Sequence, residues 1–181
     1  MIRLEYLESA DIKNIIEWNR DKSADFLLQW AGPQYKHPLT EGQIKQRLID
    51  GANKENSDTY IYKIILNETD KMIGTIELSK IDRINGTAKV CRFLIGEEEQ
   101  RGKGIGKAAL NKVLEIGFTK LNLDTISLGV FDFNESAIKC YELVGFKKRS
   151  LIKNARKADN GYWNLYEMFI TREEWLNRSM A

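Results

Sequence analysis

The stretch Glu97-Glu98-Glu99-Gln100-Arg101-Gly102-Lys103-Gly104-Ile105-Gly106-Lys107 decides how this chain folds. Its glycines permit tight backbone geometry and close approach of a ligand. Beyond them Ile105, Ala109, Val113, Ile116 and Leu121 recur at helical spacing with lysines outside, so Gly102–Gly106 opens a long helix. A helix start turns unpaired N–H groups and a positive dipole end into the loop before it. Arg101, Lys103 and Lys107 add charge, which suits the loop to a phosphate. Two better-known phosphate loops do not fit. A Walker A motif ending at Gly106-Lys107 needs glycine at 101 and Ser or Thr at 108, where the chain has Arg101 and Ala108. The dinucleotide fingerprint from Gly102 needs a small residue at 107, which is Lys, and a parallel βαβ unit near the chain start. Taken alone, the loop reads equally well as a glycine-rich turn with solvated lysines.

Outward from the loop, three strand candidates precede it. Tyr60–Leu66, Met72–Ile81 and Ala88–Ile95 are rich in β-branched and aromatic residues, and turn-rich connections at 67–71 and 82–86 make them an antiparallel meander. Nearer the start, Ile2–Leu7 reads as a strand. Ser9 reads as the cap of a helix carrying Ile12, Ile15, Ile16 and Trp18 on one side. Phe26–Pro38 reads as an irregular aromatic loop. Thr40 with Gln43 approximates a capping box for a second helix, with Ile44, Leu48 and Ile49 inward. Residues 28–58 therefore form a helical flap. After the loop come a strand (Thr125–Phe131), a helix (Asn134–Val144), strands at Phe146–Ile152 and Tyr162–Ile170, and a Thr171-capped tail with Trp175. The expected fold class is α+β (mixed α/β): a single domain over 1–181 around one mostly antiparallel sheet flanked by helices.

Composition narrows the function. The 181 residues carry 28 Lys and Arg against 26 Asp and Glu, and a net charge of +2 gives no reason to expect a nucleic-acid partner. No apolar run reaches the length of a membrane span, and Met1 leads into a charged segment instead of a signal peptide, so a cytoplasmic location is expected. Cys91 and Cys140 have no metal-type spacing; reduced thiols and no metal are expected.

A second motif gives the loop its meaning. Asn134-Glu135-Ser136-Ala137-Ile138-Lys139-Cys140-Tyr141-Glu142-Leu143-Val144-Gly145-Phe146 resembles the N-x-x-A-x-x-x-Y-x-x-x-G-F signature of the GNAT superfamily of acetyl-CoA-dependent N-acetyltransferases. Arg101-x-x-Gly104-x-Gly106 is similar to that family's pyrophosphate loop, (Q/R)-x-x-G-x-(G/A). The order of elements resembles the family over most of the chain, nearest in layout to the branch of ribosomal-protein N-terminal and aminoglycoside acetyltransferases. The resemblance implies an acetyl-CoA-binding core at 88–146, with the sheet splayed at the cofactor. It implies that main-chain groups of Phe93, Leu94 and Ile95 pair with the pantetheine arm like an added strand. Backbone N–H groups of Arg101, Gly102, Lys103, Gly104, Ile105, Gly106 and Lys107 would hold the pyrophosphate. Asn134 would meet a pantetheine amide while capping its helix; Lys139 either approaches the 3′-phosphate or, as the more ordinary reading, stands as a solvated lysine. Tyr141, two helical turns after Asn134, resembles the group that protonates the departing thiolate.

The implied reaction is direct attack of an amine on the thioester of acetyl-CoA, which needs a base or a water chain to deprotonate the amine. The chain departs from its closest-looking relatives here. Many have Glu at the second position of an A-E-I-G-type run, where this chain reads Ala88-Lys89-Val90-Cys91. Glu77, in G-T-I-E-L-S, is the carboxylate left on a central strand, sharing a face with Ile73 and Thr75 by alternation. Its bland alternative is a solvent-facing Glu. Trp30, Tyr35 and Trp163 are candidates to line the acceptor pocket, and His37 reads as a loop residue. The basic run Lys147, Lys148, Arg149, Lys153, Arg156 and Lys157 reads as a solvated edge. The expected partners are acetyl-CoA and an amine acceptor, small molecule or protein N-terminus, with a homodimer left open. The competing reading is an acyl-CoA sensor of the same fold without turnover.

Overall fold

A computed structural model describes residues 1–179. In chain order the elements are β1 (Ile2–Tyr6), α1 (Ile12–Asn19), α2 (Ala24–Ala31), α3 (Glu41–Ile49), β2 (Tyr60–Leu66), β3 (Lys71–Asp82) and β4 (Thr87–Ile95). They continue with α4 (Ile105–Glu115), β5 (Thr125–Phe131), α5 (Glu135–Val144), β6 (Lys147–Ala158), β7 (Gly161–Thr171) and α6 (Arg172–Ser179). Seven strands form one sheet in the order β1-β2-β3-β4-β5-β7-β6. Every neighbouring pair is antiparallel except β4 and β5. One core lies between the sheet and the inner faces of α4 and α5, around Leu110, Val113, Leu114 and Ile138. A second fills the opposite face under α1, α2 and α3, around Ile12, Ile15, Leu27 and Ile44. No helix among the described residues is long and apolar enough to cross a membrane.

The one parallel pairing is short. β4 and β5 match over four positions, Thr87↔Thr125 through Val90↔Leu128, and then part. The cause is visible on the other edge of β4. Thr75 pairs with Leu94 and Glu77 with Cys91, so Ile76 faces two residues, Arg92 and Phe93. That extra residue is a β-bulge, with Arg92 at φ +42°. It bends β4 away from β5, and a notch opens from Cys91 onward.

A second irregularity changes which side chains share a face. Ile64 pairs with Gly74 and Ile65 with Met72, which makes Ile73 the extra residue in β3. Ile73 therefore joins Ile76 and Leu78 in the core under α4 and α5. Thr75, Glu77 and Ser79 occupy the opposite face, so Glu77 does not share a face with Ile73. Strict alternation fails at the inserted residue.

Several helix starts also differ from expectation. Residues 26–38 are not a continuous loop: Ala24–Ala31 is helical, and the Ser23 hydroxyl accepts from the Phe26 N–H at 3.1 Å. The first helix is entered through Glu8, whose N–H donates to Asp11 at 2.9 Å, and Ser9 begins a short 3₁₀ turn. Thr40 makes no side-chain cap bond; the Gln43 side chain turns back to Lys36 and Pro38 instead. Ile49 is 66% exposed, on the outer side of α3. The last hairpin is longer than expected, with β6 running to Ala158. Thr171 caps α6 as expected, its hydroxyl accepting from the Glu174 N–H at 3.3 Å. Both cysteines are unpaired and half-buried.

Candidate active site

The notch between β4 and β5 is the mouth of a cavity of about 690 Å³. Its wall on the β4 side runs from Val90 through Phe93, Leu94 and Ile95. Leu94 and Ile95 pair with β3 on one edge, while their other edge has lost β5, leaving main-chain groups able to accept an extended ligand as a further strand. At the C-terminal end of β4, Arg101, Gly102, Gly104, Gly106 and Lys107 close the cavity. Gly104 is the N-cap of α4 at φ +78°, a left-handed conformation that side chains with a Cβ rarely adopt. It aims the first N–H groups of α4 at the cavity, a ready anion site. The Arg101 Nε donates to the Ile95 carbonyl at 3.0 Å, tying the loop to the end of β4.

The facing wall is α5. Asn134 caps it, accepting from the Ala137 N–H at 3.3 Å. Lys139, Cys140 and Tyr141 also line the cavity. The Cys140 sulfur packs close to Gly106, where a Cβ would lie 3.5 Å away. The Tyr141 ring stacks edge-on against Phe146 with centroids 6.1 Å apart. Burial pushes its phenol up, so it stays protonated and can donate. Its hydroxyl has no protein hydrogen-bond partner among the described residues.

The expected residues thus divide. Phe93, Leu94, Ile95, the loop glycines with Arg101 and Lys107, Asn134, Lys139 and Tyr141 meet at one cavity. Lys103 and Ile105 stay outside its lining. From the flap, Trp30 reaches the cavity with Phe26 and Gln29, and its indole N–H donates to Asn19 at 3.0 Å. Tyr35 and Trp163 do not reach it. Tyr35 is buried, its hydroxyl accepting from Arg47 at 3.2 Å. Trp163 packs edge-on against Phe131 and Phe133, with centroids 4.8 Å away in each case. His37 borders a separate cavity of about 470 Å³ near Lys22 and bonds that residue's carbonyl at 3.0 Å.

Glu77 requires a correction. It is neither solvent-facing nor free to act as a base: its side chain is 1% exposed. Arg47 donates to it at 2.5 and 2.6 Å, Arg92 at 2.6 Å through Nε and again through Nη2, and Ser79 through its hydroxyl. Burial alone would raise its carboxyl, but the hydrogen bonds and charges of Arg92 and Arg47 prevail and hold it at about 2. A carboxylate so saturated takes no proton from an amine near neutral pH. Arg92 and Cys91, by contrast, line the cavity without having been expected there. A bulge built from an ordinary arginine leaves no compositional mark.

The acetyltransferase (GNAT) domain family model matches residues 2–147. The chain belongs to the GNAT acetyltransferases. This GNAT protein is 27% identical over 179 residues to a spermidine N(1)-acetyltransferase of Vibrio cholerae, covering 98% of this chain and 97% of the relative. It is 29% identical over 162 residues to an uncharacterized N-acetyltransferase, p20, of Bacillus licheniformis, covering 85% and 90%. Its fold superimposes with a TM-score of 0.84 on a Vibrio cholerae spermidine N-acetyltransferase solved with CoA and spermine, at 23% identity and 97% and 98% coverage. As a GNAT N-acetyltransferase, it moves an acetyl group from acetyl-CoA to an amine. The split edge of β4 and the loop before α4 fit acetyl-CoA: a strand-like edge for an amide-bearing arm and a helix start for phosphates. No cluster of His, Cys, Asp and Glu able to hold a metal ion occurs among the described residues.

Proposed function

We propose that the acceptor is a small primary amine that enters beside Phe26, Gln29 and Trp30 and reaches the thioester at the bulge of β4. Coenzyme A lies along Phe93–Ile95, its pyrophosphate on the loop from Arg101 to Lys107 and its pantetheine near Asn134. Tyr141 protonates the leaving thiolate. Convergence of the split strand edge, the loop and the free Tyr141 hydroxyl on one cavity carries this reading. No Asp or Glu lines that cavity, so the proton of the attacking amine leaves through water. The division of labour is orientation by the backbone and acid catalysis by one phenol.

A polyamine acceptor is the second reading, supported by near-full-length similarity to spermidine N(1)-acetyltransferases of Vibrio cholerae and Escherichia coli. Self-association belongs to the proposal as well. A Vibrio cholerae relative is described as dodecameric, and Leu151 and Ile152 are 40% and 47% exposed on the edge strand β6. Acceptor-dependent thiol release from acetyl-CoA across a panel of amines tests the function. Coenzyme A binding without release from any amine would replace it with the sensor reading.

A further inference from the structure

Every ionised side chain on the cavity wall is basic: Arg92, Arg101, Lys107 and Lys139. Three of these stand on the phosphate loop, α4 and α5, where a pyrophosphate and a 3′-phosphate need them. Arg92 does not. It stands at the bulge, next to Cys91 and beneath α2, at the end from which the acceptor enters. Its Nε donates to Glu77 at 2.6 Å, and its Nη2 donates to Glu77 and to the Ser79 hydroxyl at 3.1 Å. Its Nη1 has no protein acceptor among the described residues.

The charge around it does not balance. Glu77 is shared between Arg92 and Arg47, and each arginine side chain is only 13% exposed. Two guanidiniums against one carboxylate leave an excess of one positive charge in a water-poor place. Such a charge is costly without a counter-ion, and a positive φ at a non-glycine residue adds strain at the same position. A polycation would meet this excess with no carboxylate to offset it, because Glu77 is already saturated.

The geometry points to an acceptor amine that carries a carboxylate, with Arg92 as the group that selects it. This rests on the cavity being the acceptor site. The carboxylate pairs with the free Nη1 of Arg92, Glu77 holds that guanidinium in place, and the amine at the other end of the molecule is left to reach the thioester.

Matched amines of four, five and six carbons test this, differing only at the far end: plain alkylamine, diamine, and ω-amino acid (for four carbons, butylamine, putrescine and 4-aminobutyrate). With saturating acetyl-CoA, kcat/KM for the amino acid exceeds that of its plain amine by about tenfold or more, as for a charge-assisted hydrogen bond, and the diamine is the poorest. Arg92→Gln shrinks the ratio of amino acid to plain amine to within about threefold, and Arg92→Lys, which keeps the charge, restores part of it. A measurement on the unaltered protein stands beside the variants, should Arg92→Gln fail to fold: butyrate inhibits acetylation of butylamine competitively with the amine. A diamine equal to or better than the amino acid in the unaltered protein overturns the inference while leaving acetyl transfer intact. Absence of thiol release with every amine instead overturns the acceptor-site reading, and the inference falls with it.

Discussion

Replacing Glu77 by Gln should expose how far the packing of α3 on β3 and β4 depends on one carboxylate. The two oxygens of Glu77 accept five hydrogen bonds, from Arg47, Arg92 and Ser79. Gln offers one acceptor oxygen and turns an NH₂ toward a guanidinium. Arg47 and Arg92 then face each other across a nearly dry space with no counter-charge. Removing one partner of a buried pair costs about 3–5 kcal/mol. The pH linkage gives a similar size by a separate route: a carboxyl held at about 2 instead of its ordinary 4.5 adds roughly 3 kcal/mol near neutral pH. Because the folded value lies below the unfolded one, that stability is present above about pH 4.5. It is lost as the pH falls toward about 2.

Urea unfolding at pH 7 should therefore place Glu77→Gln about 3–5 kcal/mol below the unaltered protein. A thermal scan should show a drop of roughly 6–20 °C for a domain of this size. Repeated in steps from pH 6 to pH 2, the gap between the two proteins should close, because the unaltered protein loses the same contribution by protonation. A Glu77→Gln protein within about 1 kcal/mol of the unaltered one at pH 7, with an unchanged circular dichroism spectrum, would refute the claim that Glu77 is the ionised centre of the cluster. So would a gap that persists unchanged to the acid end.

Tyr141→Phe keeps the ring against Phe146 and removes the donor, so single-turnover thiol release should slow by about 10²-fold with coenzyme A affinity nearly unchanged; loss of affinity in step with rate would make it a binding residue. Gly104→Val places a branched side chain at φ +78° beside the helix start, and calorimetry should find coenzyme A binding abolished in a folded protein. Lys103→Ala, outside the cavity lining, should change that affinity by less than about fivefold. Normal binding by folded Gly104→Val would move the pyrophosphate elsewhere. Gly96→Ala should destabilise by roughly 1–3 kcal/mol in urea. Its Cβ would lie 1.9 Å from the Trp18 ring, whose N–H holds Glu97 at 3.0 Å. No change would mean that Trp18 moves aside freely.

The parts that were legible in the sequence are those whose cause is local. Gly104 is needed because of its own backbone angle, Asn134 caps the helix it begins, and β2, β3 and β4 are marked by their own β-branched and aromatic residues. The parts that were not legible depend on distant residues or on a single insertion. α2 is eight residues long, apolar and aromatic, and runs into Gly32-Pro33, so its helical span was masked by the breaker that ends it. Glu77 looks like an ordinary strand residue because its partners lie 30 and 15 positions away in sequence, at Arg47 and Arg92. Neither bulge contains a glycine at its inserted position; Ile73 and Arg92 are residues any strand could carry.

The bulge in β4 accounts for the place where cofactor and acceptor are proposed to meet. In an unbroken strand Arg92 would follow Val90 onto the core face, two residues on. The insertion hands that face to Phe93 and Ile95, which pack against the core with Val90, and turns Arg92 to the side of Glu77. The same extra residue ends the pairing with β5 after Val90 and leaves unpaired the strand edge on which the pantetheine arm is proposed to lie. The unpaired edge and the turned charge of Arg92 are thus two consequences of one inserted residue, about 10 Å of strand from the end of β4. Glu77 is what makes the arrangement tolerable, by holding an arginine that the core could not have accepted.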